Sequence, residues 1–149
     1  ELAEIAVMSA DAARYFEIEP KVAFMSYSNF GSVVNADILR IQKAVELARR
    51  ARPDLVIDGE MQADTALVAE LAQQNFPHSA IQGDATVLIF PELFSANTAY
   101  KLVQHLGKAD AIGPILLGMR KPVNVMHHNV TVDEIVNLTS ITAVASKHM

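Results

Sequence analysis

Residues 54–62 read Asp-Leu-Val-Ile-Asp-Gly-Glu-Met-Gln. The run 55–58 is apolar up to its last residue, with Pro53 on one side and Gly59 on the other. A strand with one wet face alternates apolar and polar residues, whereas a strand buried on both faces does not. The run therefore predicts a strand covered on both sides, and Asp58-Gly59 reads as the turn that ends it. Four further runs have the same character, at 22–26, 87–90, 112–117 and 123–126.

Segments with helical spacing lie between these runs. Asn35 is placed to cap a helix with Ile38, Ile41, Val45 and Ala48 on one face, which Pro53 ends. Asp64 reads as the cap of a second helix carrying Leu67, Val68 and Leu71. Ser95 reads as the cap of a third, with Ala96, Ala99, Val103 and Leu106 inward and Gly107 as its stop. Strand and helix in alternation predict the α/β class. The expected architecture is a three-layer α/β/α sandwich, with a mostly parallel sheet between helices.

The chain has 149 residues, of which 51% are hydrophobic and 19% charged. That is enough apolar side chain for one packed core. No uninterrupted stretch of 18 apolar residues is present, so no membrane span is predicted. The sequence has no cysteine, which excludes disulfides and thiolate metal sites. The net charge of −5 argues against a nucleic-acid surface. Arg49, Arg50 and Arg52 fall at a predicted helix end, where cations suit the helix dipole. A cytoplasmic location is expected. The chain begins at Glu1 and runs directly into an apolar, helix-like pattern, which reads as a piece of a longer protein. The segment 76–84 reads as a surface connection without chemistry.

The last predicted helix, 131–147, opens on Thr131 followed three residues later by Glu134, a capping box. Ile135, Val136, Leu138, Ile141, Ala143, Val144 and Ala145 leave it little polar face. Such a helix needs partners on two sides. The expectation is that it packs on a missing domain or on another subunit.

Several multi-residue stretches resemble phosphotransacetylases. They are Ser-Tyr-Ser-Asn-Phe-Gly-Ser at 26–32, residues 54–62, Val-Leu-Ile-Phe-Pro at 87–91, Ala-Asn-Thr-Ala-Tyr-Lys-Leu at 96–102 and Ile-Gly-Pro-Ile-Leu-Leu-Gly at 112–118. The resemblance implies the second domain of the phosphotransacetylase-like fold, which is also that of isocitrate and isopropylmalate dehydrogenases, plus a terminal helix. Residues 1–149 would be one subdomain of a larger protein. The resemblance also implies an acyl-CoA and phosphate site at Ser28, Gly31, Ser32 and Lys101, joined by His127 and His128.

The family's catalytic corner typically reads Ser-Arg-Gly with an Asp further on. Here those positions are His127, His128, Asn129 and Glu134. An Arg clamps phosphate bidentately, which a neutral imidazole does not. The corner therefore reads as degenerate, with no catalytic residue expected. Two alternatives stay open: His128 as a replacement base, and Glu134 as a surviving base rather than a cap alone. No metal site is expected at the histidine pair, because adjacent strand residues point to opposite faces. Asp58, Glu60 and Asp64 are not read as a carboxylate cluster: Asp58-Gly59 reads as a strand-ending turn and Asp64 as a helix cap.

Asn29-Phe30, where free-standing phosphotransacetylases more often carry Thr-Lys, together with Asp58-Gly59-Glu60-Met61 resembles the C-terminal region of multidomain NADP-dependent malic enzymes. That branch implies a regulatory and oligomerisation domain that senses acetyl-CoA and has lost transferase turnover. The malate-oxidising part, with NADP and a divalent metal (Mg or Mn), would lie outside this sequence. Its partners would be an acyl-CoA and further copies of itself. The alternative is a working phosphate acetyltransferase that exchanges acetyl between CoA and phosphate.

Overall fold

The computed structural model of the chain describes residues 1–126 and 128–147. They form two compact units, Glu1–Asn97 and Thr98–Met149.

The first unit holds a parallel three-stranded sheet in the order β2-β1-β3, from β1 (Lys21–Met25), β2 (Val56–Met61) and β3 (Val87–Ile89). Its strands carry the predicted continuous apolar runs because both faces are covered. On one face Val22 and Phe24 of β1, Ile57 of β2 and Ile89 of β3 pack on α1 (Leu2–Tyr15) and α2 (Ala36–Ala51). On the other, Ala23, Met25 and Met61 pack with Ala66 and Ile81. Adjacent residues of β1 thus serve opposite cores, as the two-residue strand period requires. These are the layers of the predicted α/β fold.

α2 forms where expected. The Asn35 side chain accepts the Ile38 N–H at 3.0 Å, and Ile38, Ile41, Ala44, Val45 and Ala48 form its buried stripe. The arginines at its end are engaged. Arg50 pairs with Glu46 at 2.5 Å, and Arg52 with Asp11 and Asp54 at 2.8 Å each.

The second predicted helix is two short ones, α3 (Ala63–Leu67) and α4 (Ala69–Asn75). Asp64 is not its cap: Gln62 holds that position, and Val68 breaks the helix with extended angles. The cause is the chain at residues 83–85, which runs across the break. Ala85 N donates to Ala66 O, and a Cβ on Gly83 would lie 2.3 Å from Ala69 N.

α5 (Leu93–Leu106) starts before Ser95, whose hydroxyl donates to Glu92 O at 3.0 Å from inside the first turn. Gly107 does stop the helix, its N–H donating to Val103 O. The expected inward face is not buried: Val103 is 60% and Leu106 79% exposed. Residues 112–117 and 123–126 carry no strand. In their place Asn124 accepts the Leu116 N–H and donates to Thr142 of α6 (Val132–Ala145). An apolar run becomes a strand only where a neighbouring strand takes its backbone groups.

The predicted capping box is present at α6, with Glu134 N donating to Thr131 Oγ1 and Thr131 N to Glu134 Oε2. Leu138 is its one buried residue. Among the described residues, no helix is long and apolar enough to cross a membrane.

Candidate active site

The order β2-β1-β3 sends the chain from β1 to one edge of the sheet and places β3 at the other. In open parallel sheets, ligands bind outside the carboxyl ends of strands where the order reverses. Here that rule points to a crevice between the segments after β1 (residues 26–34) and after β3 (residues 90–92). The first contains three of the residues expected from sequence, Ser28, Gly31 and Ser32.

A β-bulge shapes this segment from below. β1 and β2 pair in register from Lys21↔Val56 to Phe24↔Gly59, and the next pair is Met25↔Met61. Glu60 is left out of the ladder. Its carbonyl accepts Phe30 N–H at 2.9 Å. Its fully buried carboxylate accepts Ser28 Oγ at 2.8 Å and Gly31 N–H at 2.7 Å, both on Oε1. Bulges next to sites commonly re-aim one side chain in this way. Gly31 has φ +82°, and the preceding Phe30 is also left-handed.

The geometry separates the three expected residues. Ser28 is fully buried and Gly31 spends its N–H on Glu60, so neither offers a donor to a ligand. Ser32 is exposed, donates its N–H to Asn29 O, and receives the Asn29 N–H on its hydroxyl at 3.0 Å.

A second brace comes from residues 76–84. Phe30 meets Phe76 with ring centroids 5.3 Å apart and His78 edge-on at 4.9 Å. Asp58 ties this segment down. Oδ2 accepts Ser79 Oγ at 2.8 Å and Ala80 N–H at 2.7 Å, while Oδ1 accepts Gly59 N–H and pairs with Arg49. Asp58 is therefore not a strand-ending turn but a buried anchor inside β2, and residues 76–84 support the candidate loop.

The second unit carries the corner. Glu134 lines a cleft of about 170 Å³ with Ile112, Gly113, Asn129 and Leu138. It also faces an adjoining hollow beside Asp110, Thr131 and Asn137. Its carboxylate is held by the Thr131 N–H at 2.7 Å and the Thr131 hydroxyl at 2.9 Å. His128 is exposed. Lys101, on α5, holds its ammonium 5.0 Å over the Tyr100 ring, a cation–π contact. His127 lies outside the described residues.

Residues 1–143 match the family model described as phosphate acetyl/butaryl transferase. The chain belongs to this family. It is 47% identical over 146 residues to the phosphate acetyltransferase of Escherichia coli, covering 98% of this chain and 20% of that protein. It is 44% identical over 148 residues to the phosphate acetyltransferase of Clostridium acetobutylicum, covering 99% of this chain and 44% of that one. A solved phosphotransacetylase from Streptococcus pyogenes superposes with a TM-score of 0.96 at 44% identity, over all of this chain and 45% of that one. The chain thus spans less than half the length of these relatives.

These matches overturn the malic enzyme reading. Near-complete similarity to phosphate acetyltransferases does not support an acetyl-CoA-sensing, oligomerising domain of an NADP-dependent malic enzyme, with its NADP and divalent metal. Nor does it support an expected loss of transferase turnover. Phe30, one of the residues that suggested that branch, has a local explanation in its packing against Phe76 and His78.

Sequence reasoning missed Glu60 as the hub of the candidate loop and residues 76–78 as its brace. One signal was available: Glu60 is a carboxylate within a strand whose neighbours are apolar or small. A charge there needs local donors to be tolerated.

Proposed function

We propose that the chain is part of a phosphate acetyltransferase that exchanges acetyl between coenzyme A and phosphate. The observation that carries this reading is the 44–47% identity to phosphate acetyltransferases over 98–99% of the chain. The crevice at the carboxyl ends of β1 and β3 supports it as a place for the acyl-CoA.

Glu134 is the base of the corner. It takes the thiol proton of CoA; the sulfur attacks the acetyl carbonyl carbon, a C–S bond forms, and the C–O bond to phosphate breaks. The Thr131 bonds hold the carboxylate in one pose, which a positioned base requires. His128 is the corner's imidazole donor for the departing phosphate. The exposed apolar side chains of α5 and α6 support a further surface against them, from the rest of the polypeptide or a second copy. The reaction's place is the cytoplasm.

The test is acetyl phosphate formation from acetyl-CoA and phosphate by the full polypeptide. Turnover is expected, and none would sink the reading. Glu134→Gln keeps the capping box, which accepts Gln as well as Glu. The variant is expected to lose about 100-fold or more in kcat while the melting temperature holds. Activity at the native level would remove Glu134 from the mechanism.

A further inference from the structure

The hydroxyl protons of the loop after β1 can be followed one by one. Gly31 N–H donates to Glu60 Oε1, so that oxygen is an acceptor. Ser28 Oγ lies 2.8 Å from the same oxygen and must give it its only proton. The contact of Ser28 Oγ with Ser32 Oγ at 3.2 Å then has Ser32 as its donor. Val33 N–H takes the second lone pair of Ser28 at 3.2 Å, which leaves Ser28 saturated. Ser32 has spent its proton on Ser28 and one lone pair on Asn29 N–H. One lone pair on Ser32 remains.

The backbone N–H groups from Ser28 to Val33 are all taken within the first unit. Ser28 donates to Ser26 Oγ, Asn29 to Ser32 Oγ, Phe30 to Glu60 O, Gly31 to Glu60 Oε1, Ser32 to Asn29 O and Val33 to Ser28 Oγ. A phosphate-binding loop presents such groups outward. This loop has turned them inward.

We propose that Glu60 is the positioning residue of this loop. By fixing the direction of the Ser28 and Ser32 protons it makes Ser32 an acceptor, so that the loop seats a hydrogen-bond donor of coenzyme A rather than a phosphate oxyanion. The pantetheine arm carries two amide N–H groups and the terminal thiol, and these are the donors such a site takes. The bulge at Glu60 is what makes this possible, since a regular ladder would tie the residue into the sheet. The inference rests on the acetyltransferase reading of the crevice and assigns that reading's two substrates to different places.

The experiment is calorimetric titration of coenzyme A and, separately, inorganic phosphate into the full polypeptide that carries this chain. Ser32→Ala is expected to weaken coenzyme A about fivefold to tenfold, the loss of one neutral hydrogen bond, with phosphate affinity within about twofold. Ser32→Thr keeps the oxygen and restores coenzyme A binding. Glu60→Gln offers an amide oxygen in the Oε1 place and holds coenzyme A affinity within about threefold, whereas Glu60→Ala lowers it at least as far as Ser32→Ala. Amide exchange at Gly31 stays slow in Glu60→Gln and becomes fast in Glu60→Ala.

Weaker phosphate binding in Ser32→Ala would overturn the proposal, as would unchanged affinity for both ligands. So would a Glu60→Gln protein as impaired as Ser32→Ala. If Glu60→Ala does not fold, Ser32→Ala, Ser32→Thr and Glu60→Gln decide the matter alone. Turnover is measured separately. A protein that binds coenzyme A as expected but transfers no acetyl group contradicts the acetyltransferase reading and leaves the role of Glu60 standing.

Discussion

Asp58 shows what one buried side chain holds in place. It gathers the Ser79 hydroxyl, the N–H groups of Ala80 and Gly59, and the Arg49 guanidinium. Asp58→Ala would strand these donors and release residues 76–84 from the sheet, at a cost of roughly 2–4 kcal/mol by urea unfolding. A smaller change than 1 kcal/mol would show that the segment is held by other contacts. Asp84 behaves differently because it is half exposed. The Lys21 ammonium, bonded to its carboxylate, holds the Asp84 carboxyl below the usual carboxylate range, helped by the Gln82 N–H. A depressed folded pKa means that the stabilisation is complete above the unfolded value of about 4 and fades as pH falls through the lower folded value. Asp84→Asn should therefore cost ~0.5 kcal/mol at pH 7, and the difference should close as pH falls through the lowered folded value. A gap that persists in acid would rule out the ion pair as its source. Single-residue roles were the least legible part of the sequence. Ser28 and Gly31 are the polar, turn-forming types a ligand loop uses, and only the fold reveals that a bulged carboxylate from another strand has claimed them.

Elements were legible where the local signal and the packing agree. α2 has a cap, an apolar stripe and a stop within one stretch, and it forms as read. β1 and β3 have continuous apolar runs, β2 begins with one, and all three strands lie between two cores. The runs at 112–117 and 123–126 carry the same signal but no strand, since a strand also needs a partner edge, which local sequence does not encode. Asp64 is a similar case: its cap propensity is real, but Gln62 takes the cap position and residues 83–85 cross where the helix breaks. The terminal helix is the clearest local success, because its capping box involves only residues three apart. Thr131→Ala removes both the side-chain acceptor for Glu134 N–H and the hydroxyl that donates to the Glu134 carboxylate. It should cost ~1 kcal/mol of stability. It should also lower kcat through the looser carboxylate, with Thr131→Ser restoring both. Loss of stability at full kcat would detach the cap from the chemistry.

At the scale of the whole chain, the two units differ in how they are held. Glu1–Asn97 has a core on each face of its sheet, with Phe24, Ile38, Met61 and Ile81 fully buried or nearly so. Thr98–Met149 buries Leu138 alone among its described residues, while Leu106, Val132 and Val136 stand exposed. Ordering a residue costs about 1–2 kcal/mol in backbone entropy, and buried apolar area must offset it. The first unit has that area within itself; the second does not. Expressed separately, residues 1–97 should unfold in urea as one cooperative transition, with slow amide exchange in β1. Residues 98–149 should show no cooperative melt and fast exchange throughout α6, despite its capping box, since a cap adds only ~1 kcal/mol to a helix of marginal length. A sharp thermal transition in the isolated second piece would mean that its hydrogen bonds, such as those of Asn124 to Leu116 and Thr142, suffice without further buried surface. Its corner residues would then be preformed. In the expected case, Glu134 needs further buried surface against α6 to be set in place, and a variant that loses that surface should lose activity before the sheet unfolds.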